Sequence, residues 1–319
     1  MGHATRCVPL INQFLKEGHN VIIGADKIPL VFLKQEFPEL KIIVIPGYEV
    51  SYDEKGSYLK LFYESIQFFN FIKKEHDFID EIIEENTIDL IVSDNRYGLW
   101  SKKVKSIIIT HQLFVKTPLG EKLAHKKIEK LISNFTECWI PDEEGESNLS
   151  GDLSHLKPFG YPHKFIGPLS RFSKGQLNNP EKFEYDIIAI LSGPEPQRTI
   201  FENLVLEQIK INELKAVVVR GLPKEKQELS IDNSKVKIFN HLSTEKFLEY
   251  IERSKIVVCR AGYTSIMDLS TLDKKGILVP TPGQTEQEYL AEYHLNKGNF
   301  YSQKQGVFDL KECLIKLEA

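Results

Sequence analysis

The chain is poor in cysteine. Its four, Cys7, Cys138, Cys259 and Cys313, lie far apart among 319 residues, with no CxxC and no paired Cys/His spacing. That excludes a disulfide framework and a zinc ribbon, and it reads as reduced thiols of a cytosolic protein. No apolar run approaches the roughly 18 residues of a membrane span, and no signal-peptide pattern is visible. Positive charge is not in excess: 41 Lys and Arg face 45 Asp and Glu, for a net charge of -4. Bulk electrostatics therefore give no reason to expect a nucleic-acid partner.

Several chemical motifs are also missing. There is no GxGxxG after a strand and no GxxxxGK[ST], so dinucleotide oxidoreductase and P-loop readings lose their main supports. Without GxSxG, an α/β-hydrolase has no nucleophile elbow. The nine histidines are scattered, and no HxxxH or DxD stands out. No metal site and no cofactor is expected.

What the chain has is alternation. Short β-branched runs recur at Val21–Ile23, Ile42–Ile45, Leu90–Val92 and Ile107–Ile109, then at Ile187–Leu191, Val217–Val219, Val236–Phe239, Ile256–Val258 and Ile277–Val279. Apolar residues at consecutive positions imply burial on both faces, as in the central strands of a parallel sheet. Helical patterns at 195–210, 243–253, 263–272 and 285–297 lie between the later runs. The pattern predicts an α/β protein. The series occurs twice, separated by "GPLSRFSKGQLNNPEKFEYD" (167–186), rich in Gly, Pro, Ser, Asn and charge. Two Rossmann-like domains are therefore expected, at 1–168 and 180–319, facing across a cleft at their strand carboxyl ends, where ligands bind in this class.

Three strand-to-helix turns in the second half carry polar chemistry. In "CRAGYTSIMDL" (259–269), Arg260, Ala261 and Gly262 follow a strand, and Thr264, Ser265 and Asp268 share a helix face. A carboxylate there suits the vicinal diol of a ribose, although a capped helix with a solvated acid gives the same string. "ILSGPEPQRT" (190–199) offers Ser192 and Gly193 before a helix start with Gln197 and Arg198, a place for an anion or simply a Pro-initiated helix. "VPTPGQTEQEYLAEY" (279–293) opens a helix with Thr285, Glu286 and Gln287, which suit sugar hydroxyls or merely complement the helix dipole.

Together these turns resemble the donor domain of GT-B glycosyltransferases, and most closely glycosyltransferase family 28, which includes the N-acetylglucosaminyltransferase that makes peptidoglycan lipid II. In that family a strand leads into R-[SA]-G and a helix whose acid holds the donor ribose. Arg260-Ala261-Gly262 and Asp268 stand at those places, with Asp for the family's commoner Glu. Val279-Pro280 and Gln287 match the family's V-P turn and sugar-facing Gln. Ser192-Gly193 stands where its diphosphate-facing loop does, with Pro-Glu-Pro as a departure. The resemblance covers about 185–297 well.

In the first half, "MGHATRCVPLI" looks like the second half of the family's first turn, G-x-G-H and a helix. It implies that His3 faces the donor phosphates and reaction centre as base or oxyanion donor; a capping or surface histidine is the alternative. Asp94 and His111, at two other strand ends, are further candidate bases, or plain turn residues. The segment 113–135 sets Lys122, Lys126, Lys127 and Lys130 beside an apolar helical face, suited to anionic lipid or to a solvated surface over a core. Tyr58, Phe62, Phe68, Phe69 and Phe71 read as an acceptor groove or as core.

The resemblance implies an inverting, metal-independent transferase moving a hexose or N-acetylhexosamine from a nucleotide sugar, UDP-linked above all, to a small or lipid-linked acceptor. The protein would be cytoplasmic, at most peripheral at the inner face of the membrane, with no nucleic-acid partner. A nucleotide-sugar epimerase of the same architecture, and an inactive nucleotide-sugar-binding homologue, are the competing readings. A strand feeding the first helix has no residues to form it. In-frame upstream codons are accordingly expected to encode four to six apolar β residues and a Gly-rich turn, which reading the upstream sequence will check; a stop codon directly upstream argues against it.

Overall fold

The computed structural model describes residues 2–47, 58–117, 120–178, 180, 182–225 and 235–318, with the side chains of 58–66 and 318 outside the description. Two compact units divide the chain: Arg6–Leu169, and Ser170–Ala319 together with Met1–Thr5.

Helix α1 (Gly2–Lys16) starts in the second unit and enters the first at Arg6; the first then carries β1 (Ile22–Ala25), α2 (Lys27–Glu36), β2 (Lys41–Val44), the long α3 (Tyr58–Asn86) and β3 (Leu90–Asp94). It continues through β4 (Lys105–Ile109), α4 (Glu121–Ile132), β5 (Glu137–Ile140), α5 (Asp152–His155) and β6 (His163–Phe165). β1 and β2 pair in parallel, and β3-β4-β5-β6 form a separate parallel sheet. Among the described residues no ladder joins β1 to β3. Helix α1 is fixed to β3 by an ion pair instead: Arg6, 2% exposed, donates to both carboxylate oxygens of Asp94. Arg96, just past β3, reaches Asp26, the buried Glu75 on α3 and the Pro46 carbonyl. Burial raises the Glu75 pKa, with the Arg96 guanidinium opposing it.

Phe68 packs against the core of this unit and meets Tyr97 edge-on at 6.3 Å, while Phe71 lies under Arg96 at 5.5 Å. These two aromatics do packing work; Tyr58 and Phe62 fall among the side chains outside the description.

The second unit carries β7 (Tyr185–Ile190), α6 (Gln197–Ile211), β8 (Ala216–Val219), β9 (Val236–Phe239), α7 (Thr244–Arg253) and β10 (Ser254–Cys259). It ends with α8 (Tyr263–Thr271), β11 (Gly276–Leu278), α9 (Thr285–Asn296), β12 (Tyr301–Ser302), a 3-10 turn at Gln305–Val307 and α10 (Leu310–Glu318). The strands whose residues are apolar in succession are the buried central ones: Ile187, Ile188 and Ala189, Ala216–Val218, and Val257–Cys259 are all 0% exposed. Helix α7 shows the complementary pattern, capped by Ser243, which accepts from the Lys246 N–H, and burying Phe247 and Ile251 on one face. All six strands run parallel in the order β12-β11-β10-β7-β8-β9. Their carboxyl ends thus share one edge, and the chain's direction of winding reverses between β7 and β10. Ligands bind at such a reversal, because the two flanking turns splay apart there.

Phe201 on α6 is 0% exposed and belongs to the core beneath this edge. Phe201→Ala is expected to cost about 3–5 kcal/mol, read as a lower urea midpoint for this unit at unchanged slope.

Candidate functional site

The turns after β7, β10 and β11 meet through one side chain. Arg260, the first residue past β10, is 1% exposed. Its guanidinium donates to the Gln197 carbonyl at the start of α6 (2.8 Å) and to the Val279 and Pro280 carbonyls after β11 (3.3 Å each). Its flat face lies 4.1 Å from the Phe201 ring centroid. Among the described residues no carboxylate pairs with it, and its Nε is buried without a partner. Burial lowers its pKa to about 10, so the cation persists at neutral pH. A buried charge neutralised only by carbonyl dipoles leaves positive potential at this edge, where an anion would complement it.

The neighbouring groups reinforce that potential. Helix α8 begins after Gly262, which gives it no side-chain cap, and a helix N-terminus of this kind suits an anion. Gly193 after β7 takes φ +109°, a conformation that a side chain resists, and it holds the loop close to Thr281. The Thr281 hydroxyl, in a residue 0% exposed, has no partner, and neither does Gln305 Oε1, whose amide nitrogen donates to Gln197 Oε1. Neither residue was singled out in the sequence. A hydroxyl at a strand end is a usable signal for Thr281; for Gln305, which opens the 3-10 turn Gln305–Val307, there was none.

Asp268 lies on α8 with its side chain 13% exposed. Burial raises its pKa, opposed by the Arg171 charge and by hydrogen bonds from Ser170 and the Arg171 backbone. Ser192, Thr264 and Ser265 are half-buried at the same edge, and Ala261 is fully buried. Ser265 also hydrogen-bonds the Cys259 thiol, whose pKa burial raises to about 12.

His3 is exposed in the first turn of α1. Gly2 packs so closely on α8 that a Cβ there would come 2.9 Å from Thr264 Oγ1. Two helix N-termini, with His3 on one, are thereby neighbours within this unit.

Other candidates are engaged elsewhere. Arg198 turns away to Glu195 and to Glu202, which Arg220 also holds at 2.6 Å. Gln287 accepts from the Thr281 N–H at 2.9 Å and donates to Gln284, and Glu288 accepts from the Gly283 N–H, so both brace their own turn. Thr285 and Glu286 are half-buried on the first turn of α9. In the first unit, Asp94 is bound to Arg6 and accepts from the Cys7 thiol at 3.5 Å. His111 is 3% exposed, directly after Thr110, whose hydroxyl donates to Asn95.

The class follows from this frame: an α/β protein of parallel sheets, with its polar groups concentrated at the carboxyl edge of a doubly wound unit, and the fold of GT-B glycosyltransferases. Solved structures of that fold align over nearly the whole chain. The kitacinnamycin glycotransferase is 15% identical, covering 100% of this chain and 88% of its own, with a TM-score of 0.64. Arabidopsis thaliana UGT89C1, solved with UDP-L-rhamnose, is 12% identical over 98% and 85%, at 0.60. MurG of Acinetobacter baumannii is 10% identical over 99% and 90%, at 0.54. No curated protein sequence matches the chain. A family model matches part of the second unit: residues 187–314 are similar to the glycosyltransferase family 28 C-terminal domain.

The Arg6–Asp94 pair predicts a sharp asymmetry. Arg6→Ala strands a buried carboxylate and is expected to cost about 3–5 kcal/mol, whereas Arg6→Met combined with Asp94→Leu recovers most of that loss. Chemical denaturation of the two variants checks it.

Proposed function

We propose that this protein transfers a hexose or N-acetylhexosamine from a UDP-sugar to an acceptor hydroxyl with inversion, by a single displacement that needs no metal. The observation that carries the reading is Arg260, which gathers three strand-to-helix turns around a buried, unneutralised cation. The donor diphosphate would lie against the Ser192-Gly193 loop, Thr281 and the uncapped start of α8, over Gln197 and Arg260. Asp268 would grip the ribose, and Thr285 and Glu286 the sugar, with Gln287 bracing their turn through Thr281 and Gln284. Ala261, Gly262, Thr264 and Ser265 would line the nucleotide, while Arg198 would act indirectly by bracing the loop through Glu195.

In the reaction the acceptor oxygen attacks the sugar's anomeric carbon as a base takes its proton. The bond from that carbon to the diphosphate oxygen breaks, and the electron pair leaves with UDP. Backbone N–H groups and the Arg260 field stabilise that departing charge, the task a metal performs elsewhere. Of the three candidate bases, His3 fits best. Its exposure and its position next to Gly2, which packs on Thr264, support it, whereas Asp94 is bound to Arg6 and His111 is enclosed.

The N-terminal unit, about 1–168 without its first residues, would hold the acceptor, and 180–319 the donor. A lipid-linked acceptor at the inner face of the membrane is supported by α4, where Lys122, Lys126, Lys127, Lys130 and Leu123 are exposed, Leu123 to 60%. Among the described residues no helix is long and apolar enough to cross a membrane, so contact would be peripheral.

Thermal shift with UDP and UDP-hexoses, paired with product analysis, tests the reading. At 100 times Kd a ligand adds about 2.7 kcal/mol, and Asp268→Ala should abolish that gain. Release of UDP from a UDP-hexose supports transfer, isomerised sugar points to an epimerase, and binding without turnover to an inactive homologue. No nucleotide binding overturns the proposal. His3→Ala should lower kcat roughly 10²–10⁴-fold while leaving UDP affinity within about twofold.

A further inference from the structure

The chain passes from one unit to the other at Leu169–Ser170, and the first two residues after that passage take hold of Asp268. Ser170 Oγ donates to Asp268 Oδ1 at 2.6 Å while accepting from the Phe172 N–H at 3.1 Å, which fixes the direction of the hydroxyl proton. The Arg171 N–H donates to the same carboxylate, and the Arg171 guanidinium stands 3.8 Å from Oδ2. Arg171 is itself clamped: its guanidinium lies 4.3 Å from the Phe247 ring and 5.1 Å from Phe172, and those rings stack 6.2 Å apart with 3° between their planes. The clamp joins the crossing segment, α7 and α8 in one rigid contact.

An ionised carboxylate has about four lone-pair positions. The Ser170 hydroxyl and the Arg171 N–H occupy two, and two remain for a vicinal diol. We propose that Ser170 and Arg171 are positioning residues, which aim the Asp268 carboxylate so that it selects ribonucleotide donors over those lacking the 2′ and 3′ hydroxyls. This rests on the donor-site reading above.

The charged and titratable groups facing this contact are few. Arg171 lies on the crossing segment and Cys259 at the end of β10. His241 faces Arg171, and its pKa is lowered by burial and then by that charge. With burial pressing Asp268 toward its protonated form, loss of the Ser170 bond lets the proton bind more readily. Nucleotide affinity should then begin to fall at a higher pH on acidification.

Titration calorimetry with UDP and 2′,3′-dideoxy-UDP, from pH 8 down to about pH 5, tests both levels. The wild-type protein should prefer UDP by about 10–100-fold, the range expected for hydrogen bonds to a charged group. Ser170→Ala should remove most of that preference, leave dideoxy-UDP affinity unchanged, add nothing to Asp268→Ala, and move the acid fall-off upward. Arg171→Met, which keeps an apolar stem against Phe247, should move the fall-off the same way and serves if Ser170→Ala does not fold. A wild-type protein that binds no UDP, or shows no preference, overturns the donor-site reading itself. A wild-type preference that survives both substitutions, with an unmoved pH profile, overturns only the positioning role.

Discussion

One guanidinium organises the carboxyl edge of the second unit. Arg260 follows a strand buried on both faces, so its backbone is fixed by β10 pairing with β7 and β11. From there its side chain reaches the carbonyls that begin α6 and end β11. Three turns distant in sequence are drawn to one point, and the cost of burying a cation is met by carbonyl dipoles and the Phe201 face rather than by a carboxylate. An acid in that place would satisfy Arg260 and cancel the field. Its absence among the described residues makes the edge a place for an anion.

The same economy of contact runs through the rest of the molecule. Polar side chains that look available in a linear string are mostly engaged in holding turns: Arg198 with Glu202, Gln287 with the Thr281 backbone, Asp94 with Arg6, Arg96 with Glu75. What remains to face a ligand is chiefly backbone, the start of α8 and the exposed loop at Gly193. Backbone donors suit a diphosphate because they are preorganised and require no side chain to be immobilised on binding.

Much of the fold was legible because burial on both faces leaves a plain mark. The runs at Ile187, Val217, Ile256 and Ile277 could be read as central parallel strands, and each is one. β5, β6 and β12 carried no such mark: Glu137 opens β5, His163 and Lys164 open β6, and β12 is only Tyr301–Ser302, so each is defined by the strand it pairs with, β4, β5 and β11 respectively. The three polar turns were visible for a related reason. Each follows a readable strand, and glycine, proline and hydroxyls stand out against it.

The sequence alone determined the α/β class, the two-fold recurrence of the strand–helix series, and the identity of the turns at 192–198, 260–268 and 279–287. Local patterning suffices for those, since period and punctuation are properties of neighbours in the chain. Only the tertiary structure decided which polar atoms face a ligand and which are closed off by partners. Arg260 meets Gln197 and Val279, and Asp268 meets Ser170, across separations of 63, 19 and 98 residues. A hydrogen bond depends on where atoms lie in space, and no periodicity in the string encodes a contact between residues that far apart.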